Sequence, residues 1–341
     1  MKSKTQGIKS IVAGVVTGTA LLVASSVAIA APKIMCVFDP LGANGPIFSQ
    51  LKDYQTESVG WGVDLTLKPY TDERIAAEDF KSGLCNAISV TGMRSRQFVP
   101  FTGTIDAIGA VPSYAILKST LKTLSSKKAA KFMRSGPYEI AGILPIGAAY
   151  MFVNDRTIDT VGEMSGKKVA LPEGDPANME MVKNLGATPV ASSIATMYSK
   201  FNNGAVDIVF GPGIIYEAME LYKGLEPAGG IIRTPILQLT MQMIIKADDF
   251  PAEFAQQSRT YVMSQFNRAV TILTDAEKKI PEKWWVSIPA ADQIGYDEMF
   301  RQSRIALRDQ GFYEPKTLTI LRKIRCRDDP SKAECTAADK E

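Results

Sequence analysis

Short apolar runs and amphipathic stretches alternate along this chain in an order that occurs twice. Ile34-Met-Cys-Val-Phe38 is apolar throughout, as a buried strand requires. It is followed by Asp39-Pro-Leu-Gly-Ala-Asn44-Gly45-Pro46, where proline at a first helical position predicts a helix running to about Glu57. Alternation over Val63-Asp-Leu-Thr-Leu67 predicts a strand, and Thr71-Asp-Glu-Arg starts a helix with a capping residue and early acids. Ala87–Val90 is the third strand, and Thr91-Gly92-Met93-Arg94 leaves its carboxyl end. The series then returns: a strand at Lys168–Leu171, a loop Glu173-Gly-Asp-Pro176 with Asp175 as cap, a helix to about Leu185, a strand at Ala187–Val190, a helix from about Ile194 to Asn203, and a strand at Val206–Phe210. Gly211-Pro-Gly213 opens a further helix that contains Tyr216.

Two stretches from the ends of these series align without a gap, Phe80-Lys-Ser-Gly83-Leu-Cys-Asn86-Ala-Ile-Ser-Val-Thr-Gly92 and Phe201-Asn-Asn-Gly204-Ala-Val-Asp207-Ile-Val-Phe-Gly-Pro-Gly213. Each reads as a helix end, a turn and a buried strand. The pattern therefore predicts an α/β protein of two lobes on one plan with a hinge and a cleft between them. Residues 31–150 with 245–325 form the first lobe, 151–244 the second, and 326–341 a C-terminal tail. Gly142–Asn154 and Thr234–Lys246 are long apolar segments suited to the two crossings. Helices are expected over about 251–277 and 290–310, with Trp284 and Trp285 packing in the turn between them, and the charged residues after Lys316 are expected to fray except where a disulfide holds them. Ala115–Arg134 carries six basic residues and no acid, with Ile116, Leu117, Leu121 and Leu124 at helical spacing, which reads as a helix with a solvated basic face.

Charge and cysteine usage narrow the setting. Residues 1–30 hold Lys2, Lys4 and Lys9, then an uncharged run ending in Ala28-Ile-Ala30, the pattern of an export signal cleaved near Ala30. Without those three lysines, 36 basic residues of the original 39 face 36 acidic ones, so nucleic acid is a poor partner. Export to the periplasm places Cys36, Cys85, Cys326 and Cys335 in an oxidising compartment. Three pairings are open, of which Cys36 with Cys85 and Cys326 with Cys335 is the favoured one. With no histidine in the chain and no C-x-x-C pair, no metal site and no cofactor are expected, and the usual nucleophile–base pairs are missing.

In open α/β sheets ligands collect beyond the carboxyl ends of the strands, where helix N-termini present unpaired N–H groups. The groups at two such facing edges are Asp39 and Asn44 from the first loop, Thr91 and Arg94 after the third strand, Tyr150 at the crossing, Glu173 in the second series, and Gly213 to Tyr216 after its third strand. Arg94 is the strong cation of this set and the candidate for orienting a polar ligand group, with an ion pair to Asp39 or Glu173 as its alternative use. Asp175, beside Pro176, reads as a structural cap.

Ser165-Gly-Lys-Lys-Val-Ala-Leu-Pro172, Leu185-Gly-Ala-Thr-Pro-Val190, Met197-Tyr198 and Asn203-Gly-Ala-Val-Asp-Ile208 with Gly211-Pro212 together resemble the extracytoplasmic solute receptors of TRAP transporters, the DctP type. Ile244-Ile-Lys-Ala-Asp-Asp-Phe-Pro251 resembles that family downstream of its second crossing. The resemblance implies a two-lobed periplasmic-binding-protein fold and a receptor that captures a small molecule and delivers it to membrane transporter subunits, without chemistry on it. It departs at the ligand: the family's carboxylate-binding arginine falls on Ala170, the polar residue of its crossover near Tyr150, its covering aromatic on Ile194 and an asparagine on Gly211. A bidentate arginine–carboxylate pair cannot be replaced by a methyl group and glycine, so the expected solute is not a simple carboxylate. Two other functions compete. One is a sensing or envelope interaction protein on the same scaffold that has lost transport; the other, an enzyme on that scaffold, would use Glu173 as acid or base and Arg94 as orienter.

Overall fold

A computed structural model of the chain describes residues 1–3, 7, 32–160, 162–338 and 340–341. The export signal read from residues 1–30 lies almost wholly outside the described residues. Among the described residues ten strands are formed: β1 Lys33–Phe38, β2 Leu65–Tyr70, β3 Ala87–Thr91, β4 Arg134–Ser135, β5 Tyr138–Val153, β6 Lys168–Pro172, β7 Thr188–Ser192, β8 Ile208–Pro212, β9 Gly230–Lys246 and β10 Trp285–Val286. The helices expected around them occur at Pro46–Val59, Glu73–Ser82, Tyr114–Leu124, Pro176–Asn184, Ile194–Asn202, Phe254–Ser264, Phe266–Glu277 and Ala290–Asp309.

Two parallel triplets emerge, β2-β1-β3 and β8-β6-β7, each read off the repeated strand–helix order. They are not separate sheets. Hydrogen bonding runs unbroken in the order β2-β1-β3-β9-β5-β8-β6-β7, because β5 and β9 pair antiparallel with each other while β9 also borders β3 and β5 also borders β8. The two crossing segments are thus neighbours that belong to both halves. Their register slips between Ile140 and Gly142, Pro145 and Gly147, and Ala149 and Met151, and such bulges bend and twist a ladder locally.

The internal repeat survives atom by atom. Gly83 and Gly204 both take left-handed backbone, at φ 91° and 69°. In both turns the amide of the glycine donates to the carbonyl of a fully buried phenylalanine, Phe80 or Phe201, and the next amide reaches back one residue further, to Asp79 or Lys200. Asn86 and Asp207 then do the same work: each donates its amide to the opening of a central strand and accepts that strand's amide on its side chain, Asn86 with Ile34 and Asp207 with Lys168. A side chain that serves two strands at once explains why a polar residue stands at the foot of each third strand.

Both favoured disulfides are present. Cys36–Cys85 ties β1 to the turn before β3, and Cys326–Cys335 closes the C-terminal loop. The C-terminal segment does not fray. Helices Pro315–Asp328 and Ala333–Thr336 bring Arg325 beside Arg304, both buried, and Glu334 and Glu341 accept from both guanidinium groups. Two buried cations need two carboxylates near them, and the charged tail supplies those. The basic stretch after Tyr114 is helical only to Leu124 and then tightens into a 3-10 segment, Lys127–Phe132, with its lysines exposed as expected. Trp284 is buried and Trp285 half-buried against Tyr150. Among the described residues, no helix is long and apolar enough to cross a membrane.

Candidate functional site

Equivalent aspartates organise the loops that leave the first strand of each half. Asp39, after β1, is buried; its Oδ1 accepts from the Leu41 amide at 2.9 Å, and its Oδ2 from the amides of Ile47 and Phe48 at 2.9 and 3.0 Å. The carboxylate so closely fills the turn that a Cβ on Gly45 would lie 1.9 Å from it. Asp175, after β6, accepts from the amides of Ala177 and Asn178 at 3.1 and 3.4 Å and holds the Asn178 side chain. Both carboxylates therefore occupy the helix N-termini that an anionic ligand would otherwise use.

The ends of β3 and β8 open onto one cavity of about 160 Å³. Thr91 and Met93 reach it from the first half, and Gly211 and Pro212 from the second. The middle of β5 and β9, through Pro145, Ala149, Leu237, Leu239 and Met241, makes its floor. Its walls are chiefly aliphatic, aromatic and thioether groups, Phe38, Ile194, Tyr198 and Phe210 with Met181, Met197 and Met219, and the amide side chains of Gln50 and Asn178 also border it. Among the described residues that line it, Asp39 is the sole charged one, and its oxygens are taken by backbone amides. Thr91 is likewise committed: its hydroxyl donates to the Glu73 carboxylate and accepts the Arg94 amide. The Tyr198 hydroxyl has a long 3.4 Å contact with the Phe210 carbonyl. Exposed Leu41 and Ile272 stand at its edge, so the lining stays apolar as it meets solvent.

The charges lie at the rim instead. Arg94 turns from the cavity to Glu73, Nε to Oε2 at 3.6 Å, and its Nη2 donates to the Glu173 carbonyl at 2.8 Å. Arg74 pairs with the Glu173 carboxylate at 3.5 Å, and Arg96 with Asp175 at 3.1 Å. Three arginines that flank β3 thus grip the loop after β6. Gly174 permits it: its φ is +79°, and a Cβ there would meet Arg94 Nη1 at 2.6 Å. Burial pushes the Glu73 carboxyl up against the opposing pull of Arg94 and Thr91, and pushes Asp106, which accepts from the Thr240 amide and hydroxyl, up to about 7.

Of the residues singled out in the sequence, the structure brings Asp39 and Thr91 to the cavity wall. Arg94 and Glu173 meet each other at the rim. Asn44 is exposed in a 3-10 turn, and Asp39 does the capping there. Tyr150 packs edge-on against Trp285 at 5.0 Å and faces Glu277, whose carboxyl is raised by burial. Gly213 backs onto the same Glu277, and Tyr216 is buried against Tyr222. Ile194 and Gly211, two positions where the TRAP pattern carries an aromatic and an asparagine, do line the cavity; a Cβ on Gly211 would lie 2.6 Å from Ile215. The methionines escaped sequence reasoning, although Met93 stands two residues past a third strand and Met197 stands within the quoted resemblance.

Residues 59–340 match the model of the family described as solute-binding protein AdeT 1/2. The chain is 45% identical over 303 residues to the probable solute-binding protein AdeT1 of Acinetobacter baumannii, covering 89% of this chain and all of that one. Among solved structures, a TRAP periplasmic solute-binding protein of Desulfovibrio salexigens with bound orotic acid superposes with a TM-score of 0.71 at 16% identity, over 87% of this chain and 99% of that one. The periplasmic ectoine-binding protein of the TeaABC TRAP transporter of Halomonas elongata gives 0.70 at 13% identity, over 87% and 98%. Two-lobed TRAP receptors thus share this fold, and the chain belongs to the AdeT 1/2 family of solute-binding proteins.

Proposed function

We propose that this solute-binding protein works in the periplasm, where it captures an uncharged, predominantly apolar small molecule in the cavity beneath β3 and β8 and presents it to membrane transporter subunits. The observation that carries the reading is the lining: no arginine or lysine among its described residues, and one carboxylate already satisfied by three amides. Placing a carboxylate there would strip its water and return no cation, a cost of several kcal/mol. Removing apolar area from water is favourable by about 25 cal/mol per Å². Periplasmic residence is supported by the leader pattern of residues 1–30 and by two disulfides.

In this reading the lobes are residues 31–150 with 245–325 and residues 151–244, and β5 with β9 is the hinge. Asp39 and Thr91 shape the wall through the turns they fix, whereas Arg94 and Glu173 join the two halves at the rim. A ligand touching both halves favours the closed arrangement by its differential contact, and that shape is what the membrane partner reads. The protein performs no chemistry on its solute. A thermal-shift and calorimetric screen of the secreted chain decides it: neutral apolar compounds raise the melting temperature and small dicarboxylates or sugar acids leave it unchanged. Stabilisation by the acids alone sinks the proposal.

A further inference from the structure

Five of the chain's 14 methionines, Met93, Met181, Met197, Met219 and Met241, line this one cavity. They come from elements of both halves, so ring atoms placed between them would meet thioethers from several directions. One is held in place: the Asn178 amide donates to Met93 Sδ at 3.1 Å. The other walls include the rings of Phe38, Tyr198 and Phe210. At about 160 Å³ the cavity matches the size at which an apolar site accepts benzene. Thioether sulfur favours the edge of an aromatic ring, and a methionine side chain, unbranched with three rotatable bonds, adapts to irregular ligand outlines.

Resting on the uncharged-solute reading above, we infer that the cavity is a receptor site for substituted single-ring aromatic compounds, selected by methionine sulfur and accepted as a class. Branched aliphatic walls would bind an aliphatic ring and an aromatic ring of equal size about equally; sulfur distinguishes them. Flexible methionines also let the site follow a methyl or hydroxyl substituent around the ring, which a wall of isoleucines would not.

The test is calorimetric titration of the full secreted chain with toluene, methylcyclohexane, naphthalene and benzoate. Toluene is expected to bind about fivefold more tightly than methylcyclohexane, from the sulfur–ring contacts. Naphthalene and benzoate should bind more weakly than toluene, the first for its size and the second for its charge. The double variant Met93→Leu with Met181→Leu keeps side-chain volume nearly constant. It should bring the toluene-to-methylcyclohexane ratio down toward one, and the far-ultraviolet circular dichroism of the variant checks its fold. Equal affinity for the two rings in the wild-type chain, or an undiminished ratio in a folded variant, overturns the aromatic assignment and leaves the apolar-solute reading standing. Tight benzoate binding with no hydrocarbon binding overturns both.

Discussion

The cavity and its rim lie a few residues apart on the same loops, yet their chemistry is opposite. Met93 faces the apolar space while Arg94 and Arg96, one and three residues on, reach across to Glu173 and Asp175. Leu171 and Pro172 line the cavity, and the next three residues meet arginines. What differs is who satisfies each charge. At the rim every arginine finds an acceptor within the protein; in the cavity the one carboxylate finds amides of its own turn. Cations near a binding cleft therefore say little about the ligand until their partners are known.

The largest effect on this contrast should come from Asp175→Ala. The change removes a helix cap and leaves the largely covered Arg96 without its carboxylate, and urea unfolding should register a loss of about 3 kcal/mol. If the loss is below about 1 kcal/mol, the grip on the 173–175 loop is ornamental. Next, Ile194→Arg carries a rim-type charge into the cavity wall. Affinity for apolar ligands should fall at least about tenfold, through desolvation of the guanidinium, while a sugar acid gains measurable binding.

A smaller, pH-dependent effect belongs to Asp106, which lies near Arg96 and Asp175 and bonds to Thr240 of β9. Its carboxyl is raised to about 7 in the fold, so between pH about 4 and about 7 the folded chain holds a proton that the unfolded chain has released. That contribution to stability is complete below about 4 and is lost as pH rises through about 7. Asp106→Asn should flatten this part of the stability profile, measured by thermal unfolding at several pH values; a profile unchanged by the substitution would refute the assignment. The smallest effect is expected at Tyr198→Phe, whose hydroxyl makes one long contact: stability should change by less than about 1 kcal/mol and apolar affinity hardly at all.

The fold was legible because its determinants are local. Apolar runs marked β1, β3, β6 and β8, and Pro46, Asp175 and Pro176 marked helix starts that the structure keeps, whereas the cap of the helix Glu73–Ser82 is Asp72, one residue past Thr71. The Gly83 and Gly204 turns announced the repeat. What the chain alone withheld were choices made over distance. Arg94 could be assigned to a ligand or to an ion pair, and only the approach of Glu73 from one side and residue 173 from the other settles where its guanidinium goes. Glu334 and Glu341 read as tail charges until Arg304, 30 and 37 residues earlier, is seen to be buried beside them. The methionines gave no periodic signal because they sit on four different elements and a turn and converge only in three dimensions.

The unbroken pairing of β5 with β9 has a mechanical consequence. Among the described residues β5 and β9 form a two-stranded ribbon shared by both halves, so on the two-lobe reading proposed above a parting of the halves would flex that ribbon like a leaf spring at the slips near Gly142, Gly147 and Met151. Deuterium uptake at those few amides, ahead of the ladders on either side, would be the trace such breathing leaves.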